Sequence, residues 1–488
     1  MSMSDMGANL LAILPVVILV GWTCVLLLVD AWIPKGQKKW TAILAALGLV
    51  VALGFTLAQI GQLDEPLVAF NGMIVVDGFA IFLNIIFLVS ALVGIALAYD
   101  FLQRMNIEKG EYYIMLLFTV SGMMIMAGAA DLIIVFLALE WLSIPLYVMA
   151  GFARPQHDSE EAALKYFLLG AFAGGFVVYG VAMIFGATGT TAFSGIVGAL
   201  EAGKANPTLI IVGGALILIG LGFKVSAVPF HMWTPDVYQG SPSPVTAFMA
   251  IGTKAGGFAA LLRIFVVVFP LLAEDLTPVL WALAALTMIL GNVVAIAQGN
   301  IKRMLAYSSI AHGGYILMGL VVFGNQDVAP VAVAAALFYV LAYAFTSFTA
   351  WAVVIAMEKS EGQGLKLDDF AGLGRKYPLL GAAMTVSMLS FIGVPPTLGY
   401  VGKFYLFRTI LEGGYPGLAL IGVLTSLISA YYYLRIVVIM YMREGAPQAR
   451  SEFWLNLTAA VTAVGTFILI IFSNTLFTWA SKATLLLF

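Results

Sequence analysis

The chain has 488 residues, of which 62% are hydrophobic and only 10% charged, with a net charge of −2 and a mean hydropathy of +1.04. So few charges cannot cover the surface of a water-soluble protein of this length, and the composition predicts a polytopic membrane protein. No basic tail or arm is present to hold nucleic acid, and the single cysteine, Cys24, excludes disulfides, thiolate metal sites and iron–sulfur clusters held by this chain alone.

At about twenty residues per crossing, the sequence predicts an all-α fold of about fourteen transmembrane spans. They fall near 8–30, 40–60, 78–99, 112–130, 131–153, 162–186, 208–240, 243–268, 278–298, 303–323, 328–357, 378–410, 416–441 and 453–480. The stretch MSMSDMGAN carries no Lys or Arg ahead of the first apolar run, unlike a cleavable signal peptide, so the first span is expected to be retained. Spans 7 and 12 are overlong and contain prolines, which predicts that both are discontinuous.

Alternate loops carry the positive charge. One set holds Lys35, Lys38 and Lys39, then Arg104 and Lys109, Arg154, Lys302 and Arg303, Lys359, Lys366, Arg375 and Lys376, and finally Arg443 and Arg450. The opposite set holds only Lys204 and Lys482, with Arg263 and Arg408 near span ends; together with Arg435 these two are read as interfacial anchors. That bias places the first set in the cytoplasm and both termini on the outer, periplasmic side. The longest polar connections, near 188–207 and 358–377, are too short for a separate soluble core.

A proline-interrupted, lysine-bearing span occurs twice, five spans apart, so the two enter the membrane from opposite sides. This points to inverted five-helix repeats with a functional site between the breaks. The expected organisation is 1–110 (three spans), 111–268 (spans 4–8), 269–441 (spans 9–13) and 442–488 (the last span).

Charged residues inside the spans carry the functional reading. Glu140 lies nine residues into span 5, roughly 14 Å deep. Lys224 and Lys403 flank the two breaks, and Lys254 lies near the middle of span 8. A lysine in hydrocarbon costs roughly 2.5–3.5 kcal/mol on insertion scales, so three of them need a reason. Burial disfavours the charged form of a lysine, which can then release and regain a proton near neutral pH; an arginine cannot. One acid and three lysines at similar depth therefore read as a proton relay, against the alternative of static ion pairs that fix helix packing.

Lys165, at the head of span 6, is either a relay member or an interfacial lysine whose stem lies along the helix. His231, in the first break, and His312, in SSIAHGGY, are either proton shuttles or hydrogen-bonded core residues. With His157 they have no metal-ligand spacing, so no metal site is expected. Thr234-Pro235-Asp236 reads as N-cap, first-turn proline and first-turn acid of a short half-helix. Gly174-Gly175 and Gly256-Gly257 permit close helix approach, and Tyr431-Tyr432-Tyr433 lies deeper than an interfacial belt requires.

The stretch GFKVSAVPFHMWTPDVYQGSPSPV, followed by TKAGGFAALLRIF, together with NIKRMLAYSSIAHGGYILMG and GVPPTLGYVGKFYLF, resembles the subunit N branch of the antiporter-like membrane subunits of proton-pumping NADH:quinone oxidoreductase, respiratory complex I. The likeness covers about 111 to 441. It implies fourteen helices with inverted repeats (helices 4–8 and 9–13) and breaks in helices 7 and 12. It also implies that Glu140 modulates Lys224, that Lys254 is the central connecting lysine, that Lys403 gates the second half-channel and that His312 lies on a central polar axis. Such a chain carries no cofactor of its own. NADH, FMN, iron–sulfur clusters and quinone are expected in partner subunits, neighbouring antiporter-like subunits among them, within a bacterial cytoplasmic (inner) membrane. The competing function in the same fold is a cation/proton antiporter subunit of Mrp type, or an ion-pumping subunit of a membrane-bound hydrogenase. A transporter of an organic solute would need a larger polar pocket at the breaks, and a purely structural subunit would not retain unpaired lysines at the midplane.

Overall fold

A computed structural model describes residues 3–62, 66–359, 362–483 and 485. The chain ends 1–2 and 486–488, to which the loop charges assign the outer side, lie outside the described residues. In chain order, α1 (Met3–Ala12) and α2 (Leu14–Asp30) make span 1, α3 (Lys39–Ala58) span 2, and α4 (Gly78–Tyr99), prolonged by α5 (Phe101–Arg104), span 3. Spans 4 to 6 are α6 (Glu111–Gly128), α7 (Leu132–Ala150) and α8 (His157–Thr188). After the short α9 (Phe193–Glu201), span 7 is two helices, α10 (Pro207–Val225) and α11 (Trp233–Gly240). Span 8 is compound: α12 (Ser243–Phe248), a π-helical turn at Met249–Thr253, α13 (Lys254–Arg263) and a second π-helical turn at Ile264–Val268. Spans 9 to 11 are α14 (Ala273–Ile296), α15 (Ile301–Leu320) and α16 (Ala329–Met357). The turn α17 (Leu373–Lys376) leads into span 12, again two helices, α18 (Pro378–Ile392) and α19 (Leu398–Glu412); α20 (Pro416–Met442), α21 (Phe453–Ile471) and α22 (Ser473–Lys482) follow.

Among the described residues, eleven helices are long and apolar enough to cross a membrane. The other three predicted spans fall short for separate reasons. The α2 helix has only 17 residues, span 12 is cut in two, and α15 carries Lys302, Arg303 and the polar run SSIAHGG. The apolar stretch of span 8 is 100% buried inside the chain, whereas that of α21 is 33% buried. Span 8 is therefore the axis of the bundle. The outer helices turn Leu427, Phe172 and Ile471 outward, as a lipid-facing surface requires.

Both breaks follow from local chemistry. The α10 helix ends because Ser226 adopts a left-handed φ of +63°, and Pro229 then prevents continuation. The α18 helix ends at Gly393, φ +87°, and Pro395-Pro396 stop it. The Thr397 side chain accepts the Tyr400 amide and restarts the chain as α19.

Three features depart from the sequence reading. The 60–77 connection contains a hairpin of β1 (Leu67–Ala69) and β2 (Ile74–Val76), whose turn uses Phe70, Asn71 and Gly72 at positive φ; Asn-Gly between apolar runs is a hairpin signal that a search for helices overlooks. Thr234 does not cap α11. That helix starts at Trp233, so Thr234, Pro235 and Asp236 all lie in its first turn, and the Thr234 hydroxyl donates to Ser226 instead. Arg263 is no interfacial anchor. It is 2% exposed, sits in a bidentate ion pair with Asp77 at 2.8 Å on both arms, and donates to the Ala127 carbonyl. Nothing along the sequence signalled this, because the two partners are 186 residues apart.

Candidate functional site: a buried polar axis

Each break turns the C-terminal end of a half-helix into the bundle, where its last carbonyls lack helical partners and the dipole favours a cation. Lys224 lies in the last turn of α10. It is 3% exposed and donates to the Ser143 hydroxyl at 2.8 Å and the Tyr166 hydroxyl at 2.9 Å. Ser143 is one turn after Glu140 on α7, and its hydroxyl accepts from Lys224 while donating to the Leu139 carbonyl. Pro145 lies inside the same helix and leaves the Trp141 carbonyl without its helical donor. Glu140 is only partly buried and packs against Gly174 of α8, where a Cβ would sit 2.6 Å from its Oε1. That contact gives Gly174 its purpose.

Lys254 opens α13 directly after the π-helical turn, an irregularity common at functional sites. Its Nζ donates to the Ser309 hydroxyl at 2.7 Å and to the Ser309 carbonyl. Gly257, one turn along, lets α13 lie against the side chains of Lys224 and Val225. Ser309 is one turn before His312 on α15. His312 is 3% exposed and bridges two phenols, with Nδ1 2.6 Å from the Tyr339 hydroxyl and Nε2 3.1 Å from the Tyr433 hydroxyl.

Lys403 reaches back from α19 to the end of α18. Its Nζ donates to the carbonyls of Phe391 and Ile392, each at 2.9 Å, and to the Ser426 hydroxyl at 2.7 Å, with the Tyr315 ring 4.5 Å away. Its outer side faces a cavity of about 320 Å³ between α19 and α20.

The structure thus brings Glu140, Lys224, Lys254, His312 and Lys403 close together inside the bundle: Gly257 packs α13 against Lys224, and the Tyr343 and Tyr315 rings lie between Lys254, His312 and Lys403. Among the described residues no carboxylate stands within ion-pair distance of Lys224, Lys254 or Lys403, which is unlike a static salt bridge. Two other candidates lie elsewhere. Lys165 is 41% exposed and pairs with Asp236 at 2.6 Å and Glu161 at 2.7 Å. Asp236 also pairs with Arg303, so it ties α11 to α8 and α15. His231 is half-buried in the first break, and its Nδ1 finds no hydrogen-bond partner among the described residues. The hydroxyl links Ser143, Tyr166, Ser309, Tyr339, Tyr433 and Ser426 escaped sequence reasoning, although Glu140/Ser143 and Ser309/His312 share the i,i+3 spacing that places residues on one helix face. The Tyr431–Tyr433 run divides, with Tyr431 exposed and Tyr432 and Tyr433 buried against the row. No group of His, Cys, Asp or Glu suited to a metal occurs among the described residues.

Comparison with known proteins places the family. Residues 129–429 match the family described as NADH:quinone oxidoreductase/Mrp antiporter, TM. The chain is 48% identical over 464 residues to NADH-quinone oxidoreductase subunit N of Chloroflexus aggregans, covering 93% of this chain and 92% of the relative. It superposes on a chain of respiratory complex I from Thermus thermophilus with a TM-score of 0.82 and 35% identity, covering 96% of this chain and 99% of that one. A chain of the Mrp complex from Dietzia sp. gives a TM-score of 0.86 at 21% identity, covering 98% and 96%, which shows a shared fold alone. The stretches around both breaks and the row of buried lysines lie within the matched region, and the chain belongs to the NADH:quinone oxidoreductase/Mrp antiporter membrane family, on its subunit N branch.

Proposed function

We propose that this chain is the proton-translocating membrane subunit of an NADH:quinone oxidoreductase, working beside other membrane and peripheral subunits in a bacterial inner membrane. The observation that carries the reading is the row of three buried lysines held by neutral oxygens, with a histidine bridged by two phenols beside them. Similarity at 48% identity to a subunit N supports the redox-driven complex over the Mrp-type antiporter or hydrogenase-linked pump, which share the fold.

In this reading the nearby carboxylate of Glu140 sets the proton affinity of Lys224. A proton passes inward to Lys254, then along Ser309, His312 and the Tyr339 and Tyr433 hydroxyls to Lys403, which delivers it to the outer side. No step is redox chemistry in this chain; NADH, FMN, iron–sulfur clusters and quinone belong to the partners. The two halves that carry the breaks are 111–268 and 269–441, with the positive loops in the cytoplasm and both termini outside.

The test uses the assembled complex in proteoliposomes. Lys224→Ala and Glu140→Ala are expected to leave assembly intact while lowering coupled NADH:quinone turnover and proton pumping. Unchanged pumping in assembled mutants, or purification of the chain without flavin and iron–sulfur partners, would overturn the assignment.

A further inference from the structure

A second polar site lies at the end of the bundle formed by the positive loops, well away from the row of lysines. Segments following spans 3, 5, 7, 9 and 11 meet there around a cavity of about 310 Å³, whose lining includes His157, Asp158, Gln239, Ser241, Lys302 and Glu358. A space of this size and polarity has room for several waters.

Sequence alone reads Lys302 as one more loop cation, but its side chain is 2% exposed and turned inward. It donates to the Ser241 carbonyl at 2.6 Å. Glu358 stands with Oε1 4.0 Å from the Lys302 Nζ, beyond hydrogen-bond distance. The residue is 5% exposed, and its Oε2 has no hydrogen-bond partner. The Ser241 and Ser243 hydroxyls are likewise buried without partners. A buried carboxylate oxygen without a partner is destabilising unless water or a proton satisfies it. The carboxylates of Glu358 and Asp158 argue against an anionic lipid headgroup as the occupant.

The cavity also points toward the lysines. Tyr238 lies three residues before Ser241, and its ring is 6.1 Å from that of Trp233, which stacks at 4.6 Å on Tyr166, the partner of Lys224.

We propose that Glu358, with Lys302 beside it, is the proton-intake group of this chain, collecting protons from the water of this cavity for the lysine row. This rests on the relay reading above and adds the place where a proton is loaded. Glu358 takes a proton from hydronium, leaving water and a neutral carboxyl beside the Lys302 ammonium. It then returns that proton to a water on the Ser241 side and regains its charge. Lys302 acts as a positioning residue, holding the Ser241 loop and the Glu358 carboxylate on opposite sides of the cavity.

The experiment uses the intact complex in proteoliposomes. Glu358→Gln is expected to lower coupled turnover and proton pumping by about tenfold. Glu358→Asp is expected to retain most of both, and a small permeant weak acid such as formate to restore pumping in Glu358→Gln. Unchanged pumping in Glu358→Gln would overturn the proposal. So would a loss that neither the conservative variant nor the weak acid relieves, since a static ion pair behaves that way. Ser241→Cys gives a second measurement: a charged thiol reagent applied from the side of the positive loops is expected to label it, and protection from both sides overturns the water-filled cavity. Lys254→Met in the same preparation separates the two readings. If it stops pumping while Glu358→Gln does not, the relay stands and the intake site falls.

Discussion

Two kinds of buried cation share one span. Arg263 and Lys254 lie nine residues apart on α13, and both are nearly free of solvent. Arg263 is matched arm for arm by Asp77, which also caps the start of α4 through the Ala80 amide. Lys254 is matched only by the neutral oxygens of Ser309. A guanidinium holds its proton at any physiological pH and fits a carboxylate bidentately, so the Arg263–Asp77 pair is a fixed tie between α13 and α4. An ammonium among neutral oxygens can lose its proton without leaving an unpaired carboxylate behind. Burial does not separate a charge locked by a counter-ion from one held only by neutral groups. The partner does.

The sharpest way to break that comparison is Asp77→Asn, which leaves Arg263 buried without its counter-charge. A cost of about 3–5 kcal/mol is expected, against a total stability of order 5–15 kcal/mol, so the subunit should fail to assemble on native gels. An assembled Asp77→Asn complex that has lost only pumping would move Arg263 into the relay. Next in size are Lys254→Arg and Lys254→Met. Both should assemble, and both should lose pumping by more than about tenfold, because neither side chain exchanges a proton; assembly is read on the same gels and pumping by a pH-sensitive dye.

Smaller effects distinguish the lysines from one another. Ser143→Ala leaves Lys224 with Tyr166 alone, whereas Ser426→Ala leaves Lys403 with two carbonyls. Turnover should therefore fall about fivefold for the first and less than about twofold for the second. A comparably mild change is Gly174→Ala, whose methyl meets the movable end of Glu140. A loss of about twofold in coupled turnover, with assembly unaltered, is expected.

The breaks also differ in how each lysine meets its half-helix. Lys224 belongs to the half-helix whose end it occupies, and Lys403 returns to such an end from the following one. The same physics, a cation at a free helix C-terminus, is reached by two routes. That difference was invisible in the spacing of lysine and proline.

The sequence by itself determined the membrane class, the run of spans, both interruptions and where along their spans Glu140, Lys224, Lys254 and Lys403 fall. Those properties depend on hydropathy, proline chemistry and rise per residue, all of which are local. It also pointed to His312, although not to the phenols that hold it. Only the tertiary structure decided which charges are paired. Asp77 with Arg263, Asp236 with Lys165 and Arg303, and Lys302 near Glu358 each join residues that are 56 or more positions apart in the chain. Whether a buried charge is fixed or free to exchange its proton depends on what lies within a few ångströms of it in space, and packing sets that, not order along the chain.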